Sequence, residues 1–380
     1  IYIHIYIYSL WGAGGSGASG GGTSSSSTAG GGATGGAGGG MGSGGGGAGG
    51  MGAGGGSNPP MPCPDIGLDP MAGTIHYVCD CGPDSDADCE NGDDNNSGTS
   101  PSQPWRTYEK ARSSFASLNT GDSVAFCRGG AFSPQSSSAN HTRWINQNCQ
   151  AGDPCVVRDY QAPWASGDEQ RPIISSSSNG FSFEDPGSPS HEEGVTVLNL
   201  DLRGSDSGRG FFFYNDITDV LMCNVRIDNF HLGVHVTDSQ SAPMANQRIV
   251  LRNSEVLNNG GQGWLGGCTG CGVAHSSFKN NGFKTAVYNH NIYFSGSSKG
   301  VASDMFAIGN DLYQSTMVDG GCRGVSLVVH GQKDKLRIED NYIHEDLGAV
   351  GVNCAGIMID SSYSSAEGFT NVVIRNNTLV

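Results

Sequence analysis

The sequence predicts an all-β solenoid: a parallel β-helix of three-stranded coils, with a short N-terminal capping helix and a Gly/Ser-rich tether in front of it. Three observations predict it. Apolar residues recur at fixed offsets along repeats of irregular length, a polar turn column separates the first two strands, and glycine opens a third strand in most repeats.

The apolar columns emerge when a register starts at Val195, Val220, Ile249, Cys271, Met305, Leu336 and Val372. Two residues on stand Val197, Met222, Leu251, Val273, Ala307, Ile338 and Ile374, and seven on stand Leu202, Ile227, Val256, Phe278, Leu312, Ile343 and Leu379. Period-two alternation makes these the inward positions of two short strands. Four residues after each start stand Asn199, Asn224, Asn253, His275, Gly309, Asp340 and Asn376, a turn position where stacked Asn side chains can bond along a ladder. The third strands begin at Gly210, Gly233, Asn291, Gly324 and Gly356, with Gly263-Trp264-Leu265 a looser member. Repeat lengths of 22 to 36 residues put loops of unequal size at one corner of a triangular coil. A β-sandwich would not explain the Asn column.

Composition divides the 380 residues into segments 1–57, 58–104 and 105–380. The first is nearly pure Gly, Ala, Ser and Thr, too poor in apolar side chains to offset the entropy of ordering, and serves as a flexible tether and anchor. Its first eleven residues, IYIHIYIYSLW, look like translated dinucleotide repeats and read as an artefact of gene calling in place of a lost export signal; a real period-two strand is the alternative. The second segment is rich in Cys and Asp. In the third, Trp105, Tyr108, Ala111, Phe115 and Leu118 share one helical face, as a lid over an open coil requires. The chain stops just after a second strand, at Leu379-Val380, and reads as truncated there.

Net charge is −16, and positions 1–105 hold no Lys or Arg. That argues against a nucleic-acid partner, which needs clustered cations. No stretch reaches the roughly 20 apolar residues that span a bilayer, so no transmembrane segment is expected. Twelve cysteines point to an oxidising compartment, extracellular or at the cell surface. Cys149 and Cys155 flank a loop short enough for a local bond, and Cys268-x-x-Cys271 reads as a disulfide or core pair. Cys322 and Cys354 each stand two residues before the glycine of a third strand, one coil apart, which puts them within disulfide reach.

The order Tyr77-Val78, Asp-rich loop, Gly98-Thr99-Ser100, Pro104-Trp105-Arg106-Thr107, short helix, Gly121-Asp122-Ser123-Val124 and Arg128-Gly129-Gly130 resembles the opening of many bacterial right-handed parallel β-helix proteins, pectate-lyase-like polysaccharide lyases among them. The resemblance covers about positions 76–132. Tether and cysteine-bearing entry together look like exported proteins of myxobacteria. The resemblance implies that carbohydrate chemistry sits on the outer face of the third strand. By alternation His235, Tyr293, Ser326 and Met358 point out on one stripe, with Lys299, His330, Lys333 and Asp360 beyond the strand ends and Arg323 before them.

An acidic polysaccharide suits this mixture of aromatic, basic and acidic groups. The polygalacturonase-like motifs are not there: of them only His330-Gly331 and Arg337-Ile338-Glu339 remain, and a hydrolase needs two facing carboxylates where the stripe supplies Asp360 alone. A β-eliminating lyase stays open, with Lys299, Lys333 or His330 as base and Ca²⁺ or Arg323 on the uronate carboxylate. A non-catalytic polysaccharide- or matrix-binding solenoid is the alternative. Asp84, Asp86 and Asp88, at alternate positions, are the candidate Ca²⁺ ligands, although Cys89 and Asn95 stand where an EF-hand needs Gly and Glu.

Overall fold

The computed structural model describes residues 6–8, 63, 73–184, 191–240, 242, 244–297, 299–345, 354–361 and 367–380. All of the tether except 6–8 lies outside them. Within them the chain is a right-handed parallel β-helix.

Its first sheet stacks ten parallel strands, from Ile75–Val78 and Ser123–Cys127 through Ile217–Cys223 and Gly272–Ala274 to Val373–Arg375. The solenoid therefore begins inside the segment assigned to 58–104. The second and third faces join through two long strands, Asp201–Tyr214 and Arg226–Thr237, that run across a corner. Both inward columns follow the sequence register: Val197 pairs with Met222, then Leu251, Val273, Ala307, Ile338 and Ile374, and Leu202 pairs with Ile227 and on to Leu379.

The turn column carries the expected side-chain bond, Asn224 Nδ2 donating to Asn199 Oδ1 at 2.6 Å, and it also has a backbone cause. Asn199, Asn224, Asn253, His275, Gly309, Asp340 and Asn376 all have φ between 48° and 65°. That left-handed conformation is one which Gly and short polar side chains tolerate best. The buried ladder lies one residue later: Asn310 Nδ2 donates to Asn341 Oδ1 at 2.9 Å, and Asn341 Nδ2 donates to Asn377 Oδ1 at 2.8 Å. Ser276 and Ser254 continue it upward. These side chains satisfy backbone groups that the corner would otherwise leave unpaired inside the coil.

Helix Tyr108–Phe115, N-capped by the Thr107 hydroxyl, closes the upper end with Trp105, Tyr108, Ala111, Phe115 and Leu118 all buried. Tyr108 accepts from Trp144 Nε1 at 2.7 Å and donates to Gly180 O at 3.0 Å, so its hydroxyl is satisfied where burial raises its pKa. The late, long repeats add something not expected, a fourth short parallel ladder of Ala302–Ser303, Gln332–Asp334 and Gly368–Thr370. The N-terminal residues Tyr6–Tyr8 form a strand parallel to Ala355–Asp360 on the third face, as in the alternative reading of that segment.

Candidate functional site

Alternation along the third face is set by its buried side. Phe211, Val234, Trp264, Ile292, Leu327 and Ile357 pair in sequence and are all fully buried. Their neighbours Phe212, His235, Leu265, Tyr293, Val328 and Met358 therefore form one outward line, one coil apart, in which Val328 is covered and fully buried. His235, Tyr293 and Met358 take the places assigned to them. Ser326 does not: Val328 holds its place, and Ser326 is buried two residues earlier, accepting from Asn291 Nδ2 at 3.2 Å. The hairpin Met317–Val318 with Gly321–Cys322 lengthens the corner before this strand, so the glycine at its head marks a different register.

At the lower end the structure brings His330, Lys333 and Asp360 together. His330 Nδ1 donates to Asp360 O at 3.0 Å, and its ring lies 5.4 Å from that of Tyr293. Lys333 Nζ donates to Ser295 O at 2.5 Å. Glu367, which the sequence reading missed, joins them: its carboxylate accepts from Gly331 N at 3.3 Å and lies 3.8 Å from His330 Nδ1. A glycine is required at 331, where φ is 81° and a Cβ would collide with Gly296.

Lys333 was assigned to the groove edge, but only 1% of it is exposed. It sits on the fourth ladder in register with Ala302 and Phe369, which face the core, so its stem runs inward. Burial lowers its pKa from 10.5 to about 8, partly offset by Glu367. His290 is likewise buried, which lowers it to about 4; its Nδ1 donates to Val325 O at 2.8 Å and its ring stacks on Tyr293. Lys299 and Arg323 stand apart. Lys299 is exposed and donates to Gln240 O at 2.6 Å, and the half-buried Arg323 follows the hairpin, its backbone bonded to Thr316 and Val287. Among the described residues no hydrogen bond or ion pair links either to His330, Lys333 or Glu367.

At the upper end, Asp206, Ser207, Gly208, Arg209, His231 and Leu232 line a cleft of about 360 Å³. Arg209 Nε donates to His235 Nδ1 at 2.9 Å, and its guanidinium carbon lies 4.3 Å from the centre of the Phe212 ring. Phe212 and His235 stack at 5.4 Å. Burial, with Arg209 alongside, lowers His235 to about 4, and burial, with Lys284 nearby, also lowers His231. Lys284 reaches over the rim to Asp206 at 2.7 Å. Of this group the sequence reading had named His235 as a site residue. Arg209 lies 26 positions from it, and no local motif joins them.

Asp84, Asp86 and Asp88 do not converge. Asp84 has φ 74°, Asp86 accepts from Gln170 Nε2 at 3.2 Å, and Cys81–Cys89 closes the loop. Among the described residues the one group of three potential ligands within 4.8 Å is Cys79, Cys89 and Cys127, and all three are disulfide-bonded. The loop thus does not fit a common Ca²⁺ site. Cys149–Cys155, Cys322–Cys354 and Cys268–Cys271 are bonded, with Cα–Cα distances of 5.3, 5.4 and 5.3 Å, and Cys63–Cys223 ties the entry segment to the first sheet. Among the described residues no helix is long and apolar enough to cross a membrane.

No known protein family matches the chain, and no curated protein is similar to it in sequence. Solved structures that it resembles include a lacto-N-biosidase from Eubacterium ramulus, at 12% identity over 80% of this chain and 67% of that one, with a TM-score of 0.45. A rhamnogalacturonan lyase is 12% identical over 81% of this chain and 68% of its own, with a TM-score of 0.43. The A-module of a mannuronan C-5 epimerase from Azotobacter vinelandii is 14% identical over 72% of this chain and 83% of its own, with a TM-score of 0.38.

Proposed function

We propose that this protein engages an acidic polysaccharide along the outer face of its third sheet, outside the reducing cytosol. The observation that carries the reading is the outward line Phe212, His235, Leu265, Tyr293, Met358. It offers half-buried rings and apolar side chains at one-coil spacing from Phe212 to Tyr293, on which the apolar faces of successive sugar rings can stack, with Met358 two coils further on beyond the buried Val328 and the Arg209 cleft at the upper end. Because net charge is −16, attraction for an anionic chain has to be local, and Arg209 supplies it, Lys284 being paired with Asp206. Six disulfides suit an oxidising compartment, in which the N-terminal segment serves as a tether.

A second reading, β-elimination from a uronate, is favoured by the lowered ammonium of Lys333 beside His330. At mildly alkaline pH Lys333 is partly neutral and able to take the proton α to the carboxylate. Both groups lie under cover, which favours binding over chemistry. The test is a panel of pectate, alginate and glycosaminoglycans, read by affinity electrophoresis for binding and by ultraviolet absorbance for unsaturated uronate products. Retardation without absorbance supports the binder, absorbance supports the lyase, and neither with any polymer overturns both.

A further inference from the structure

We propose that the cleft at Arg209 is a recognition pocket for the carboxylate of a single uronate residue, a proposal that rests on the reading of the third face as a polysaccharide surface. Three features of the cleft build it. Arg209 is held in place: Nε is committed to His235 Nδ1, the guanidinium carbon lies 4.3 Å from the centre of the Phe212 ring, and its backbone N–H donates to Asn179 Oδ1 at 3.1 Å. Among the described residues Nη1 and Nη2 carry no hydrogen bond, which leaves a planar pair of donors with the geometry that matches a carboxylate two-for-two.

The tautomer of His235 follows from the same bond. Because Nδ1 accepts from Arg209, the ring proton is on Nε2, so a neutral imidazole adds a further N–H donor in the outward line. Finally, the acids around Arg209 are already engaged. Glu184 is bound by Arg143 Nη2 at 2.7 Å, and Asp206 is bound by Lys284 at 2.7 Å, so neither neutralises the guanidinium by direct contact. Half-buried Arg209 at the wall of a cleft of about 360 Å³ is placed to read one ring substituent, while Tyr293 and Met358 further down the line contact ring faces without regard to charge.

The experiment measures binding by calorimetry to three soluble probes: oligogalacturonate, its fully methyl-esterified form, and a sulfated galactan oligosaccharide. Wild-type protein should bind oligogalacturonate, and the ester should bind about 10- to 100-fold more weakly, the value of one charge-assisted pair. Arg209→Ala should abolish the preference for acid over ester, so that oligogalacturonate and its ester bind the variant with the same affinity. Arg209→Lys, which keeps the charge but not the fork, should recover only a small part of the loss. Equal affinity of wild type for ester and acid overturns the pocket and needs no variant to fold. Undiminished binding by Arg209→Ala also overturns the pocket but leaves the polysaccharide surface standing. Arg209-dependent binding of the sulfated probe alone overturns the uronate assignment. Failure of wild type to bind any probe overturns the pocket together with the surface.

Discussion

Lys333→Met tests the least ordinary feature of the lower site, an ammonium group that is 1% exposed in the corner of a β-coil. In the folded chain Lys333 titrates at about 8 against 10.5 in the free side chain. Between those values the unfolded chain binds more protons than the folded one, so this residue's contribution makes stability rise with pH through that window. A shift of about 2.5 units is worth about 3 kcal/mol in full, of which about 2–3 kcal/mol falls between pH 7 and pH 10. Methionine keeps the stem but has no proton to lose. The stability of wild type relative to Lys333→Met should therefore grow by about 2–3 kcal/mol from pH 7 to pH 10, while contributions from tyrosines and other groups cancel in the comparison. Urea unfolding of both proteins at the two pH values, with disulfides intact, reads it directly. A difference that does not change with pH would refute the burial of this amine, and with it the correction that removes Lys333 from the groove edge.

Two further outcomes test the scaffold. Asn341 holds the middle of the buried ladder, bonded to Asn310, Asn377 and Ala307 O, so Asn341→Ala should cost on the order of 3 kcal/mol by orphaning several buried groups, measured by the denaturant midpoint. The surface residue Val373 serves as control, since Val373→Ala should change little. Cys322–Cys354 closes 32 residues, and in the chain-entropy account its removal by paired Cys→Ser changes should destabilise by about 3–4 kcal/mol in the same assay. No change would mean that the bond is not formed in solution.

The coil was legible in the sequence because two constraints repeat without exception. Inward residues alternate, and the residue between the first two strands must adopt positive φ, which selects Asn, Asp, His or Gly at each of seven corners. That fixes register wherever corners are of constant length, and both inward columns follow it from Val195 to Leu379. The ladder one residue further on was legible only in retrospect, since Ser254, Ser276, Asn310, Asn341 and Asn377 look like ordinary turn residues until burial is known.

The candidate site was decided by tertiary structure, because it depends on corners whose length varies. A hairpin before Val325–Val329 displaces Ser326 from the line by two residues. A fourth ladder, present only in the long coils, turns Lys333 inward. The Arg209–His235 contact and the approach of Glu367 to His330 join residues 26 and 37 positions apart. A period-two pattern states which face a side chain takes within its own strand. Which loop then covers that face, and which charge comes to rest beside it, is set by how unequal coils pack, and the burial that shifts Lys333 and His235 exists only once they have packed.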